Sequence, residues 1–99
     1  MFIKMFTVGI ISTNCYLVGC TKTKEALVID PGFDTKAEAE TVLTEAKKHG
    51  FKIKYIVNTH GHPDHTSGNK LLKELTRAKI LIHEYDAPML TEAGGNLLA

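Results

Sequence analysis

The sequence predicts an α/β (α+β layered) domain: one mixed β-sheet with two main helices on one face. Two observations lead there. The first thirty residues hold three β-rich runs separated by turn residues, as in an antiparallel meander, and beyond them amphipathic helical spacing alternates with apolar strand-like runs. A third observation qualifies the prediction. Residues 26–29, 55–57 and 80–82 are apolar at consecutive positions and so call for cover on both faces of the sheet, which two helices cannot supply. The chain therefore reads as part of a larger fold, or as a protomer that borrows a second layer from a partner.

Each element has its own signal. Residues 3–8 form a short β-rich run, 9–13 a turn, and 14–20 a second strand. A turn through residues 21–24 leads into a third strand at 25–30, which Pro31-Gly32 stops. Thr35 and Glu38 have capping-box spacing, with Thr35 as N-cap and Glu38 reaching back. Ala39, Val42, Leu43 and Ala46 then recur at helical spacing among Glu40, Glu45, Lys47 and Lys48, and Gly50 supplies the stop.

The run at 51–58 starts with strand alternation and ends in a continuous apolar stretch. Leu71, Leu72 and Leu75 among Lys70, Lys73 and Glu74 predict a second amphipathic helix starting near Thr66 or Ser67. Residues 79–83 read as another strand, and 87–90 as the start of a short helix with Pro88 in its first turn. No internal repeat, low-complexity segment or linker divides the chain, so residues 1–99 are expected to form a single domain.

Composition narrows the function classes. Twelve basic and eleven acidic side chains leave a formal charge of +1, with lysines scattered among glutamates, so there is no electrostatic footprint for nucleic acid or an anionic membrane. No apolar run approaches the ~20 residues of a membrane span, and the N-terminus lacks the pattern of a signal peptide, which makes a cytoplasmic location the expectation. The two cysteines, Cys15 and Cys20, are an odd number of residues apart and would point to opposite faces of one strand, so they are not expected to bridge each other. They read as small buried hydrophobes with nothing nearby to lower a thiol pKa.

Chemistry concentrates between the fourth strand and the second helix. His60, His62, Asp64 and His65 place four metal-ligating groups within six positions at the end of an apolar run. His60 and His62, two apart, share a direction in extended backbone. Pro63 biases His62 toward extended geometry and separates the first pair from the second, while Gly61 and Gly68 permit close backbone approach. Asp30, at the end of an apolar strand, is expected either to accept a hydrogen bond from a ligand imidazole or simply to form the turn. His49, at a helix C-terminus, and His83, at a strand end, read as structural or surface histidines.

The segment Thr59-His60-Gly61-His62-Pro63-Asp64-His65 resembles the His-x-His-x-Asp-His signature of the metallo-β-lactamase superfamily. Val28-Ile29-Asp30-Pro31-Gly32 resembles the aspartate motif that precedes it, and 82–88 the strand and short helix that follow, so the similarity spans nearly the whole chain. Within the superfamily, Gly61 to Asn69 is most similar to glyoxalase II-like (hydroxyacylglutathione hydrolase-like) hydrolases. The resemblance implies an αββα sandwich of which this chain is the N-terminal half, cleaving a thioester or similar ester through a metal-held hydroxide. It implies that His60 and His62 bind one metal, that Asp64 and His65 bind a second, and that Asp30 supports the loop. Zinc is the expected ion, with iron or manganese as alternatives, and Asp64 is a candidate proton acceptor.

The resemblance also implies that the remaining ligands come from a C-terminal half absent from these 99 residues. Metal binding is then expected to be incomplete, turnover low or nil, and the uncovered sheet face a surface for homo-oligomerisation. The alternatives are an iron-dependent dioxygenase or redox member of the same fold, such as a persulfide dioxygenase, and a non-catalytic metal-binding or self-assembling module.

Overall fold

The computed structural model describes residues 1–59 and 68–82. Within them the elements run β1 (Phe2–Val8), β2 (Thr13–Gly19), β3 (Glu25–Ile29), α1 (Lys36–Lys48), β4 (Lys52–Asn58), α2 (Asn69–Thr76) and β5 (Lys79–Ile82). Their order across the sheet is their order in the chain. The first two pairings are antiparallel and the last two parallel. Connection type explains the change: short turns return the chain beside itself, whereas parallel neighbours need a crossover, which α1 and α2 supply.

The two helices touch each other and both touch β4, so they share one face of the sheet, as the sequence predicts. That face carries Cys15, Leu17, Ala26, Val28, Ile53 and Ile56, packed against Ala39, Val42 and Ala46 of α1 and Leu72 of α2. The other face is uncovered among the described residues. The register lines up Met5 with Tyr16, Tyr16 with Ile29, Ile29 with Val57 and Val57 with Leu81. None of these residues is buried, and Ile3, Met5, Tyr55 and Leu81 are 42–62% exposed. Among the described residues, the strands that looked two-sided in sequence are thus covered on one side only.

Three differences from the sequence expectation bear on the site. β3 stops at Ile29, because Asp30 takes a left-handed backbone conformation with φ 53°. α2 starts at Asn69, with Gly68 as N-cap, instead of near Thr66 or Ser67; the Gly68 N–H is committed to the Pro31 carbonyl at 2.7 Å. β4 is not a regular strand, since Ala26 pairs with Ile53 but Leu27 pairs with Tyr55. The bulge at Lys54 shifts the phase and lets Ile53 and Ile56, three apart, both face the helices. The short helix at 87–90 and His83 at the predicted strand end lie outside the described residues.

α1 begins as its capping residues predict. Thr35 Oγ1 accepts from the Glu38 N–H at 3.3 Å. The Glu38 carboxylate reaches further than a local cap, accepting from the Asp34 N–H at 2.9 Å and from the Gly9 N–H at 2.8 Å. These bonds, the one to Gly9 foremost, hold its pKa below the ordinary glutamate value. They tie the β1–β2 hairpin to the start of α1, and the Ile10 N–H adds a 2.6 Å bond to Asp34. At the other end Gly50 takes φ 72° and its N–H returns to the Lys47 carbonyl. No helix among the described residues is long and apolar enough to cross a membrane.

The cysteines are both free, as expected, but they are not alike. Cys15 lies in the core, where burial first, then the charges of Asp30 and Glu38, push its thiol up to about 12. Cys20, half-buried beyond β2, has its pKa lowered by hydrogen bonds from the Thr23 side chain and the Thr23 and Lys22 backbones, which corrects the expectation that nothing nearby acts on it. Brief iodoacetamide treatment near pH 8 should therefore label one thiol of the native chain and two in denaturant, with peptide mass mapping the first to Cys20. Equal native labelling of Cys15 would contradict this packing.

Candidate functional site

The site expected from the sequence lies between the end of β4 and the start of α2. His60, His62, Asp64 and His65 fall outside the described residues, as does His83; the residues that bracket them are described. Among the described residues there is no cluster of three or more histidine, cysteine or acidic side chains able to hold a metal. What the structure defines is the frame on which residues 60–67 are mounted.

Asp30 anchors the strand side. Its left-handed backbone follows from its place at the end of β3, where its N–H continues the sheet by donating to the Val57 carbonyl at 2.8 Å. Aspartate tolerates this conformation better than most residues with a Cβ. Its carboxylate then turns across to Thr59, accepting from the N–H at 2.8 Å and from Oγ1 at 2.6 Å. Asp30 is only 5% exposed, so the carboxylate end of both bonds is shielded from water, while Thr59 stands at the exposed end. The expected imidazole donors to Asp30 lie outside the described residues; the bonds described run to Thr59, the last residue before them.

The helix side is held by the same segment. Gly32 N–H bonds to the Asp30 carbonyl at 2.8 Å, a tight turn that presents the Pro31 carbonyl to Gly68 N–H. A Cβ on Gly68 would meet the Pro31 oxygen at 2.4 Å and the Phe33 ring at 2.5 Å, so glycine is required here for space. Pro31 to Phe33 are buried beneath this contact.

Strand and helix are also joined directly. Asn58 Nδ2 donates to Asn69 Oδ1 at 3.1 Å, and Asn69 Nδ2 donates to Asn58 Oδ1 at 2.7 Å. Both asparagines are buried, at 3% and 0% exposure. Sequence reasoning missed this pair. Its signal was two asparagines closing an apolar strand and opening an amphipathic helix, positions where a lone polar side chain would go unsatisfied.

His49 is placed away from this frame, at the C-terminal cap of α1. Its Nε2 lies 3.1 Å from Glu45 Oε1, and its ring packs 4.3 Å from that of Phe2 and 5.9 Å from that of Phe51. The contact with His49 is the first cause of a lowered Glu45 pKa.

Residues 8–99 match the family model of the metallo-beta-lactamase superfamily. The chain belongs to that superfamily. It is 43% identical over 68 residues to a hydroxyacylglutathione hydrolase of Nitrosococcus oceani, covering 69% of this chain and 24% of the relative. It is 38% identical over 63 residues to the human mitochondrial persulfide dioxygenase ETHE1, covering 64% of this chain and 24% of that protein. Among solved structures, the B3 metallo-beta-lactamase BLEG-1 superposes with a TM-score of 0.76 at 28% identity, covering 90% of this chain and 40% of that one. The chain thus spans about a quarter of those two relatives and two-fifths of that structure. Membership implies a divalent metal, and three imidazoles with one carboxylate are a donor set that suits one.

Proposed function

We propose that the chain is the metal-binding N-terminal half of a hydrolase that cleaves a thioester or similar ester. His60 and His62 would hold one metal, Asp64 and His65 a second, with zinc the preferred ion and iron or manganese as alternatives. Zinc bound there supplies a Lewis acid for the substrate carbonyl and an acidified water. Asp64 is positioned in sequence to take a proton, and Asp30 fixes the base of the loop through Thr59. The observation that carries this reading is the frame: a segment holding four ligating side chains in six positions is clamped at both ends by Asp30, Pro31 and the Asn58–Asn69 pair.

The substrate class follows from similarity to hydroxyacylglutathione hydrolases. Because the remaining ligands are expected from sequence beyond these 99 residues, the chain by itself should bind metal incompletely and turn over slowly or not at all. Zinc titration alongside a hydroxyacylglutathione hydrolysis assay tests this reading, and a chain that takes up no metal would defeat it. Similarity to the human persulfide dioxygenase favours one other reading, an iron-dependent dioxygenase. Oxygen consumption by the iron-loaded chain with a persulfide substrate, in the absence of thioester hydrolysis, would select it. A cytoplasmic setting without nucleic acid partners belongs to the same proposal.

The uncovered sheet face adds a consequence. With Ile3, Met5, Tyr55 and Leu81 in water, two copies are expected to pair sheet against sheet. Sedimentation velocity at micromolar concentration should show dimers or larger species, and Leu81→Glu should shift them toward monomer. A strictly monomeric wild-type chain would contradict the pairing.

A further inference from the structure

We infer that the buried Asn58–Asn69 amide pair is a positioning device for the 60–67 loop, fixing the spacing and register between the end of β4 and the start of α2. The inference rests on the metal-loop reading proposed above. Elsewhere the contact between this strand and this helix is apolar: Ile53, Ile56 and Leu72 are all buried. Only at the end nearest the loop does it become polar, through two asparagines eleven positions apart. A buried amide pair adds little net stability over an apolar pair of similar size, since each hydrogen bond mainly offsets desolvation.

What the pair adds is geometry. Two reciprocal bonds form in only one relative placement of the amides, whereas leucines would tolerate sliding or rotation of the helix. The other two clamps, Asp30 to Thr59 and Pro31 to Gly68, fix each end of the loop to the β3–α1 segment. Among the described residues, the asparagine pair is what hydrogen-bonds the two ends to each other. The pair thus sets the separation between the end of β4 and the start of α2, the two points that residues 60–67 connect.

The test compares the wild-type chain with the Asn58→Leu/Asn69→Leu double variant, which removes both partners and leaves no orphaned amide. Circular dichroism establishes folding at the assay temperature, zinc affinity is read by competition with a chromophoric chelator, and cobalt(II) spectra report ligand geometry. The folded double variant is expected to bind zinc about 10- to 100-fold more weakly, with an altered cobalt spectrum. Affinity within twofold of wild type and an unchanged spectrum would overturn the positioning role. A wild-type chain that binds neither ion would instead overturn the metal-loop reading, and the positioning role with it. If the leucine pair does not fold, Asn58→Ala/Asn69→Ala is held to the same two outcomes.

Discussion

Asp30→Ala is expected to destabilise the fold by about 3 kcal/mol, measured as the shift in urea-unfolding free energy. Two charge-assisted hydrogen bonds to Thr59 disappear, at about 1.5–3 kcal/mol each before the discount for water reaching a loop end. A further ~1 kcal/mol comes from placing alanine at φ 53°. Asp30→Asn separates the two contributions, because asparagine tolerates the left-handed conformation and keeps one carbonyl oxygen. It should lose about half as much. A loss below about 0.5 kcal/mol for the alanine variant would show that the Thr59 bonds do not hold the loop base.

Gly68→Ala should cost about as much, by a different route. The added methyl would lie 2.4 Å from the Pro31 carbonyl oxygen and 2.5 Å from the Phe33 ring. Neither neighbour can easily give way, since Pro31 and Phe33 are buried and that same carbonyl accepts the Gly68 N–H. Overpacking of this kind costs typically about 1–3 kcal/mol, and here it also breaks a clamp. Gly50→Ala is the control. Nothing lies within 4 Å of its Cβ position, so it bears only the left-handed conformational cost of about 1 kcal/mol. If Gly68→Ala is no more destabilising than Gly50→Ala in urea, the close approach to Pro31 is not a constraint.

These residues show where sequence reasoning succeeds and where it stops. The meander, both helices and the sheet with cover on one face are legible because periodicity and capping are local, as at Thr35 and Glu38. The mismatch between strands apolar on both sides and only two helices is legible too, and it reappears as the exposed face lined by Ile3, Met5, Tyr55 and Leu81. Partnerships across the chain are not legible. Glu38 reaches Gly9 and Asp30 reaches Thr59, each over 29 positions, and no local pattern encodes either bond. The bulge at Lys54 is hidden for a related reason: an apolar run looks the same whether or not its phase slips.

The candidate site divides in the same way. Its proposed ligands are visible as residue types at close spacing, because four candidate donors in six positions need no folding to be recognised. Its support is not. Asn58 and Asn69 gain meaning only when strand and helix meet, and Asp30 read as a turn residue as readily as an anchor.

The most direct test is metal content per chain. Wild type and the His60→Ala/His62→Ala/Asp64→Ala/His65→Ala variant would be dialysed to equilibrium against micromolar zinc and measured by elemental analysis against the dialysate, with native mass spectrometry giving the number of chains in each species. We predict zinc retained by the wild-type chain and lost from a variant that remains folded. Equal zinc in the two, or none in either, would contradict the assignment of residues 60–65 as the metal loop.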